Sequence, residues 1–231
     1  MIDVMRQEKK YLITADQYIK YSHNLSKVLH LDNNSQEDGY LVRSLYFDTL
    51  EDNDFQEKED GVDPRRKIRL RNYGPDNNFA LLELKQKQGI MQKKRSLKLN
   101  RDDAEKIITG DYSVLLEYDN PFAAECYGLM NMFCYRPKAV VSYQRKAFVT
   151  SANKIRVTFD HNLKGTESNF DIFSKESLEN TIMDPYHVVL EVKFNGFLLG
   201  YIKDLLQEID KSETAISKYC LGRAIVKHYR F

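Results

Sequence analysis

The chain has no tryptophan and only three cysteines, Cys126, Cys134 and Cys220. They are odd in number, far apart and form no CxxC pair, which argues against a disulfide framework or a cysteine zinc site. This cysteine usage points to a reducing, cytoplasmic address. No apolar run approaches the ~20 residues that cross a bilayer, and the polar opening Met1-Ile2-Asp3-Val4-Met5-Arg6 does not read as a signal peptide. The five histidines, His23, His30, His161, His187 and His228, show no metal-ligand spacing and adjoin no candidate nucleophile. No Walker-type or glycine-rich loop is present, so any phosphate must be held by side chains. Neither a repeat, a low-complexity tract nor a linker interrupts the chain, and residues 1–231 read as a single domain.

What is present is a globular composition. Of the 231 residues, 42% are hydrophobic and 30% charged, with 15 Tyr and 12 Phe. That is too aromatic for a disordered chain and long enough to bury a core without staples. The net charge of +1 excludes a uniformly basic nucleic-acid binder, but it hides a strong local asymmetry. Arg65 to Arg101 holds 12 Lys or Arg against two acids, Asp76 and Glu83. Just upstream, Asp48 to Asp63 holds eight acids and one lysine, a run that reads as a solvated face or loop.

Periodicity places the basic block on strands. In Arg65–Arg71 the odd positions are basic, while Ile68 and Leu70 point the other way. In Phe79–Gln88 the odd positions include Glu83, Lys85 and Lys87, and the even ones Ala80, Leu82 and Leu84. In Met91–Leu99, Lys94, Ser96 and Lys98 lie opposite Leu97 and Leu99. Period two therefore puts the charges on one face of neighbouring strands. Further strands are expected at Arg6–Ile13, Tyr40–Asp48, Lys138–Val149, Lys154–Asp160, Asn169–Phe173 and His187–Phe194. Thr14-Ala15-Asp16-Gln17 is a capping box for a helix to Leu29. Other helices are expected at Arg101–Thr109, stopped by Gly110, at Asn120-Pro121 to Phe133, at Phe197–Ile209, and from Ser217 onward. Cys126 and Cys134 read as core packing beside Met130 and Phe133.

A face that is cationic over three strands differs from an ordinary wet face, which mixes signs. Arg145, Arg156 and Glu191 also stand singly among apolar neighbours, where ionised groups are buried and paired or face a polar cavity. An α+β fold reconciles both features: an antiparallel β-barrel with apolar residues toward outer helices and charges toward a lumen. A lumen of Arg and Lys suits a polyanion. A few acids within it suit a divalent cation bridging phosphate oxygens.

These residues resemble a known family. Arg6-x-Glu8-x-Lys10-Tyr11 is similar to the N-terminal signature of the triphosphate tunnel metalloenzymes. Ser44-Leu45-Tyr46-Phe47-Asp48-Thr49, Ile68-Arg69-Leu70-Arg71, Glu83-Leu84-Lys85, Arg145-Lys146-Ala147-Phe148, Arg156-Val157-Thr158-Phe159-Asp160, Leu190-Glu191-Val192-Lys193 and Ser217-Lys218-Tyr219 resemble its vacuolar transporter chaperone (VTC) branch, the polyphosphate polymerases. The motifs run in order over nearly the whole chain. The cyclase and thiamine triphosphatase branch begins with ExExK; here Arg6 replaces the first glutamate, which favours the polymerase branch and removes one candidate metal ligand.

The resemblance implies an ATP-dependent transferase that adds the γ-phosphate of ATP to inorganic polyphosphate. It implies that Lys10, Arg69, Arg71, Lys85, Arg145, Arg156 and Lys218 bind phosphates in the tunnel. Glu191 would hold Mn²⁺ or Mg²⁺. From the Lys93-Lys94-Arg95 cluster, Lys94 is chosen because it lies opposite Leu97 and Leu99. Glu8 and Glu83 fit either a metal ligand or a counter-ion to the arginines, the counter-ion being preferred for Glu83 and Glu8 retained as a metal candidate. Asp48 and Asp160 are left as supporting or turn residues. Eukaryotic relatives carry a sensing domain and membrane helices that this chain lacks, so a stand-alone bacterial type is expected, with any membrane attachment left to a partner and no nucleic-acid partner. A triphosphate or nucleoside triphosphate hydrolase and a non-catalytic polyphosphate-binding module are the alternatives. If Arg69, Arg71, Arg145 and Arg156 crowd a cationic lumen, removing any one should leave the ligand-free fold as stable as before or slightly more so.

Overall fold

The computed structural model describes residues 6–35, 38–89, 91–206 and 216–227. In chain order the elements are β1 (Arg6–Thr14), α1 (Ala15–Ser26), β2 (His30–Leu31), β3 (Tyr40–Asp48), α2 (Asn53–Glu59), β4 (Arg65–Asn72), β5 (Phe79–Gln88), β6 (Met91–Asn100), α3 (Arg101–Thr109), α4 (Pro121–Met132), β7 (Arg136–Val149), β8 (Arg156–Thr166), β9 (Asn180–Thr181), β10 (His187–Asn195), α5 (Gly200–Leu205) and α6 (Lys218–Lys227). This is an α+β fold on antiparallel sheet, as the strand periodicity predicts. Contacts group the chain into two units: one within Met1–Leu41, Tyr143–Leu163 and Met183–Ile216, the other within Val42–Ser142, Lys164–Ile182 and Ser217–Phe231.

In the first unit the strand order is β1-β10-β8-β7, with β2 also on β7. Alternation sorts the side chains. Val188, Leu190, Val192 and Phe194 of β10 join Val157 and Phe159 of β8 in a core closed by Tyr21, Leu25 and Ile202 from α1 and α5. The opposite face receives Glu8, Lys10, Glu191, Lys193, Arg156, Thr158 and Asp160, because the register pairs Lys10 with Glu191, Glu8 with Lys193 and Glu191 with Thr158. The helix α1 begins at the expected capping box: Gln17 N–H donates to Thr14 Oγ1 at 3.3 Å and Thr14 N–H to Gln17 Oε1 at 3.0 Å.

In the second unit the order is β7-β3-β4-β5-β6, with β9 on β8. Leu45, Phe47, Ile68, Leu70, Ala80, Leu82, Leu84 and Leu99 bury one face against α3, α4 and the turn at Ser113–Glu117. The helix α3 stops at Gly110, whose φ of 96° is a left-handed cap open to glycine at little cost.

Several elements differ from expectation for identifiable reasons. Asn169–Phe173 forms no strand. Asp171 N–H donates to Asn169 Oδ1 and Phe173 N–H to Asp171 Oδ1, so side chains take the backbone donors a ladder would need. Strand β8 continues past Asp160 to Thr166, through Asn162 with φ of 53°. Helix α5 covers only Gly200–Leu205, and residues 207–209 of the longer expected helix lie outside the described residues. Cys126 and Met130 are buried, but Cys134 is exposed with φ of 51°. It turns the end of α4, where Tyr135 N–H closes back on Met130 O at 2.8 Å. The acidic run is not wholly solvated either, since Asp48 and Asp54 are buried.

Candidate functional site

The basic block of the second unit folds into rows set by register. Lys67, Lys85 and Lys94 lie side by side across β4, β5 and β6; Tyr46, Arg69, Glu83 and Ser96 form the next row; Ser44, Arg71, Leu81 and Lys98 the one after. Like charges directly opposite one another weaken a sheet, so a row of three lysines calls for an anion. Glu83 supplies part of it. Its carboxylate, fully buried, takes Arg69 Nε at 2.7 Å and Arg69 Nη2 at 2.6 Å, has Arg71 Nη1 at 3.8 Å, and pairs with Lys94. Burial alone would raise the Glu83 pKa; Arg69, Arg71 and Lys94 outweigh it and hold the carboxyl well below the usual range.

Arg69 also donates from Nη1 to the Tyr46 hydroxyl at 3.2 Å, and Arg71 from Nε to Ser44 Oγ at 3.3 Å. The start of α6 belongs to the same unit. Lys67 Nζ donates to Ser217 Oγ at 2.7 Å, and the Tyr219 ring stacks on Tyr46 with centroids 5.1 Å apart. Tyr219 is fixed from behind, its O–H donating to Asp48 Oδ2 at 2.6 Å. Asp48 in turn accepts the N–H groups of Thr49, Asp54 and Phe55, which makes it the anchor of α2. Burial raises the Tyr46 pKa, but Arg69, Arg71 and Lys218 overcome it, leaving the hydroxyl more acidic than an ordinary tyrosine.

Of the cluster Lys93-Lys94-Arg95, Lys94 is the residue on the face of Glu83. Arg95 turns to the helix side, where it pairs with Glu125 of α4 and lies over the Phe122 ring at 5.0 Å.

The first unit holds three further groups. Glu8, Lys10, Glu191 and Lys193 make a quartet: Lys10 Nζ is 3.0 Å from Glu8 Oε1 and 3.9 Å from Glu191 Oε2, and Lys193 Nζ is 3.7 Å from Glu8 Oε2 and paired with Glu191 Oε1. Arg145 donates from Nε and Nη2 to the two oxygens of Asp160. Burial opposes its charge, but Asp160 above all, with Tyr143 and Glu191, holds the guanidinium firmly protonated. Arg156 pairs with Asp32 and donates to the Tyr40 hydroxyl at 3.1 Å.

Among the described residues no three His, Cys, Asp or Glu side chains gather as a metal cage. The two carboxylates Glu8 and Glu191 do share both of their lysine partners. An oxygen-only pair of this kind suits Mg²⁺ or Mn²⁺, which are held by one or two carboxylates and complete their shells with water and phosphate oxygens. The residues present therefore fit a divalent ion.

Sequence assigns no role to Lys193, Asp32, Tyr46 and Lys67, and leaves Asp160 only as a supporting or turn residue. Two of them carried a usable signal: Lys193 lies two residues from Glu191 and Asp160 four from Arg156, on the same strand faces. Asp32 carried none, because it sits in the loop after β2.

The VTC domain family model matches residues 5–227. Among solved structures the chain is similar to a putative adenylyl cyclase from Hippeastrum with a dominant triphosphatase activity, at 14% identity and a TM-score of 0.57, covering 95% of this chain and 96% of that one. It is also similar to a putative adenylate cyclase from Bacillus halodurans, at 12% identity and a TM-score of 0.50, covering 92% and 95%. No curated protein matches the sequence. At such identities the solved structures speak for a shared fold. The family model, spanning nearly the whole chain, speaks for descent: this chain belongs to the VTC domain family.

Proposed function

We propose that the protein is a polyphosphate polymerase that uses a divalent metal ion to move the γ-phosphate of ATP onto a growing polyphosphate chain. The observation that carries this reading is the arginine pair Arg69 and Arg71, set at alternate positions of β4 and both facing the fully buried Glu83. Guanidinium groups pinned in orientation offer planar donors to phosphate without further ordering cost. Lys85, Lys94 and Lys218 belong to the same unit and are proposed to bind phosphate beside them; within the first unit, Lys10, Arg145 and Arg156 are proposed as phosphate-binding residues in their own right.

In the proposed reaction a terminal oxygen of the polyphosphate attacks the γ-phosphorus of ATP, the bond from that phosphorus to the β–γ bridging oxygen breaks, and ADP leaves. Donor and acceptor are both anions, so the work left to the protein is to neutralise charge and align the reacting groups. Arginines and lysines do the first; the fixation of Arg69 and Arg71 by Glu83 does the second. Glu191 and Glu8 would hold the divalent ion, which when bound neutralises phosphate oxygens. Lys10 and Lys193, paired with these carboxylates here, can turn to phosphate.

The fold shared with a protein whose dominant activity is triphosphatase supports a second reading, hydrolysis of triphosphate or nucleoside triphosphate with water as acceptor. Incubating the purified protein with ATP and Mn²⁺ or Mg²⁺, then staining a gel for polyphosphate and assaying free phosphate, separates the two. Long chains are expected. Free phosphate alone would establish the hydrolase, and unchanged ATP with tight polyphosphate binding would establish a binding module.

A further inference from the structure

Tyr46 stands in the middle of the cationic rows and was assigned no role by sequence. It occupies the row of Arg69 and Glu83, and is buried to 4% exposure. Its ring is clamped by stacking on Tyr219, which Asp48 holds through its hydroxyl. Its oxygen accepts from Arg69 Nη1, and that fixes the direction of the hydroxyl's own proton. Among the described residues no acceptor takes that proton. The charged groups around it are Asp48 on β3, Arg69 and Arg71 on β4, Glu83 on β5, Lys94 on β6 and Lys218 on α6. The cations outnumber the acids, and Glu83 is already engaged by Arg69 and Lys94.

We propose that Tyr46 is a phosphate-binding residue whose O–H donates to a non-bridging oxygen of a triphosphate held by Arg69 and Arg71. The proposal rests on the reading that this face binds triphosphate. A hydroxyl adds what the cations cannot: a single directed donor on a rigid ring, able to fix the rotation of a phosphoryl group that point charges leave loose. The acidity that Arg69, Arg71 and Lys218 impose on it strengthens that donor at neutral pH.

The test uses the full chain, inorganic tripolyphosphate as probe, and Tyr46→Phe, which keeps the ring and its stack. Affinity should fall about tenfold, as for a hydrogen bond to a charged partner. Thermal melts without ligand should match wild type, because Arg69 keeps its double contact with Glu83. The ratio of wild-type to variant affinity should shrink between about pH 7 and about pH 10, as the phenol loses the proton it donates; titration of the probe itself cancels in that ratio. Equal binding by the two proteins overturns the proposal and leaves the phosphate reading standing. A pH-independent ratio, or a ligand-free loss of stability, overturns it in favour of a structural role through Arg69. Failure of wild type to bind tripolyphosphate overturns both.

Discussion

Arg145 lays its Nε and Nη2 against the two carboxylate oxygens of Asp160, at 2.6 and 2.7 Å, with both side chains buried. A two-point pair out of water is a fixed object. It presents a guanidinium in one orientation, and it makes each partner dependent on the other.

The first prediction follows from that dependence. Reading a crowded cationic lumen from sequence leads one to expect Arg145→Ala to fold as well as wild type. The pairing with Asp160 reverses that expectation, since the variant strands a buried carboxylate. A ligand-free loss of about 3–5 kcal/mol is expected. Urea melts would measure it, and the double variant with Asp160→Ala should recover part of the loss. A single variant as stable as wild type would show that the pair carries no stability.

Asp54 makes the second. Burial first, and then the neighbouring Asp48, push its pKa up to about 7, although the Tyr135 hydroxyl donates to both of its oxygens, at 2.9 and 3.0 Å. A carboxyl whose pKa is raised on folding contributes stability that is full below its unfolded value, about 4, and is lost as pH rises through its folded one. Wild type should therefore weaken between about pH 4 and about pH 7, and Asp54→Asn should flatten that decline. Thermal melts at about pH 5 and about pH 8 decide it. A variant no better than wild type at the higher pH would rule the account out.

Glu83 behaves in the opposite sense. Its depressed pKa contributes stability above its unfolded value, lost only as acid reaches the lower folded one. Glu83→Gln should lower stability at neutral pH, and the difference from wild type should close below about pH 4. The same variant frees Arg69 and Arg71 to wander, so tripolyphosphate affinity should fall with it. Unaltered binding would mean that the arginines orient themselves.

The fourth prediction separates neighbours in sequence. Lys94→Ala should weaken tripolyphosphate binding about tenfold or more, the cost of a charge-assisted contact. Arg95→Ala should leave binding unchanged and lower stability slightly, because its partners are Glu125 and Phe122 on the helix side and Gln86 Oε1 beside it on β5. Calorimetry of the two variants is sufficient, and the reverse pattern would shift the phosphate face by one residue.

The last concerns the metal. Glu191→Gln removes a ligand charge at constant volume and should abolish metal-dependent turnover, while Lys10 and Lys193, each partly exposed, can turn to water and spare the fold. Activity against added Mn²⁺ or Mg²⁺, with melting as control, tests this. Undiminished turnover in the variant and in chelator would end the assignment.

Most strand positions, and the way their side chains face, were legible from alternation along the chain. Alternation of Arg69 and Arg71 with Ile68 and Leu70 could mean little else, and Thr14 with Gln17, Gly110 and Pro121 marked helix ends by local chemistry alone. The sequence also carried the ordered motifs of the family. The tertiary structure alone decided who meets whom. Period two separates Lys94 from Arg95, but only the packing of α4 hands Arg95 to Glu125 and leaves Lys94 with Glu83. Asp160 looked like a turn residue until β8 ran past it, and Asp32 reached Arg156 from a loop. A face is a property of one strand's own spacing, legible residue by residue. A charge's partner depends on register and on segments far away in the chain, and with it go the pKa of Glu83, the anchoring of Arg145 and the direction of the Tyr46 hydroxyl.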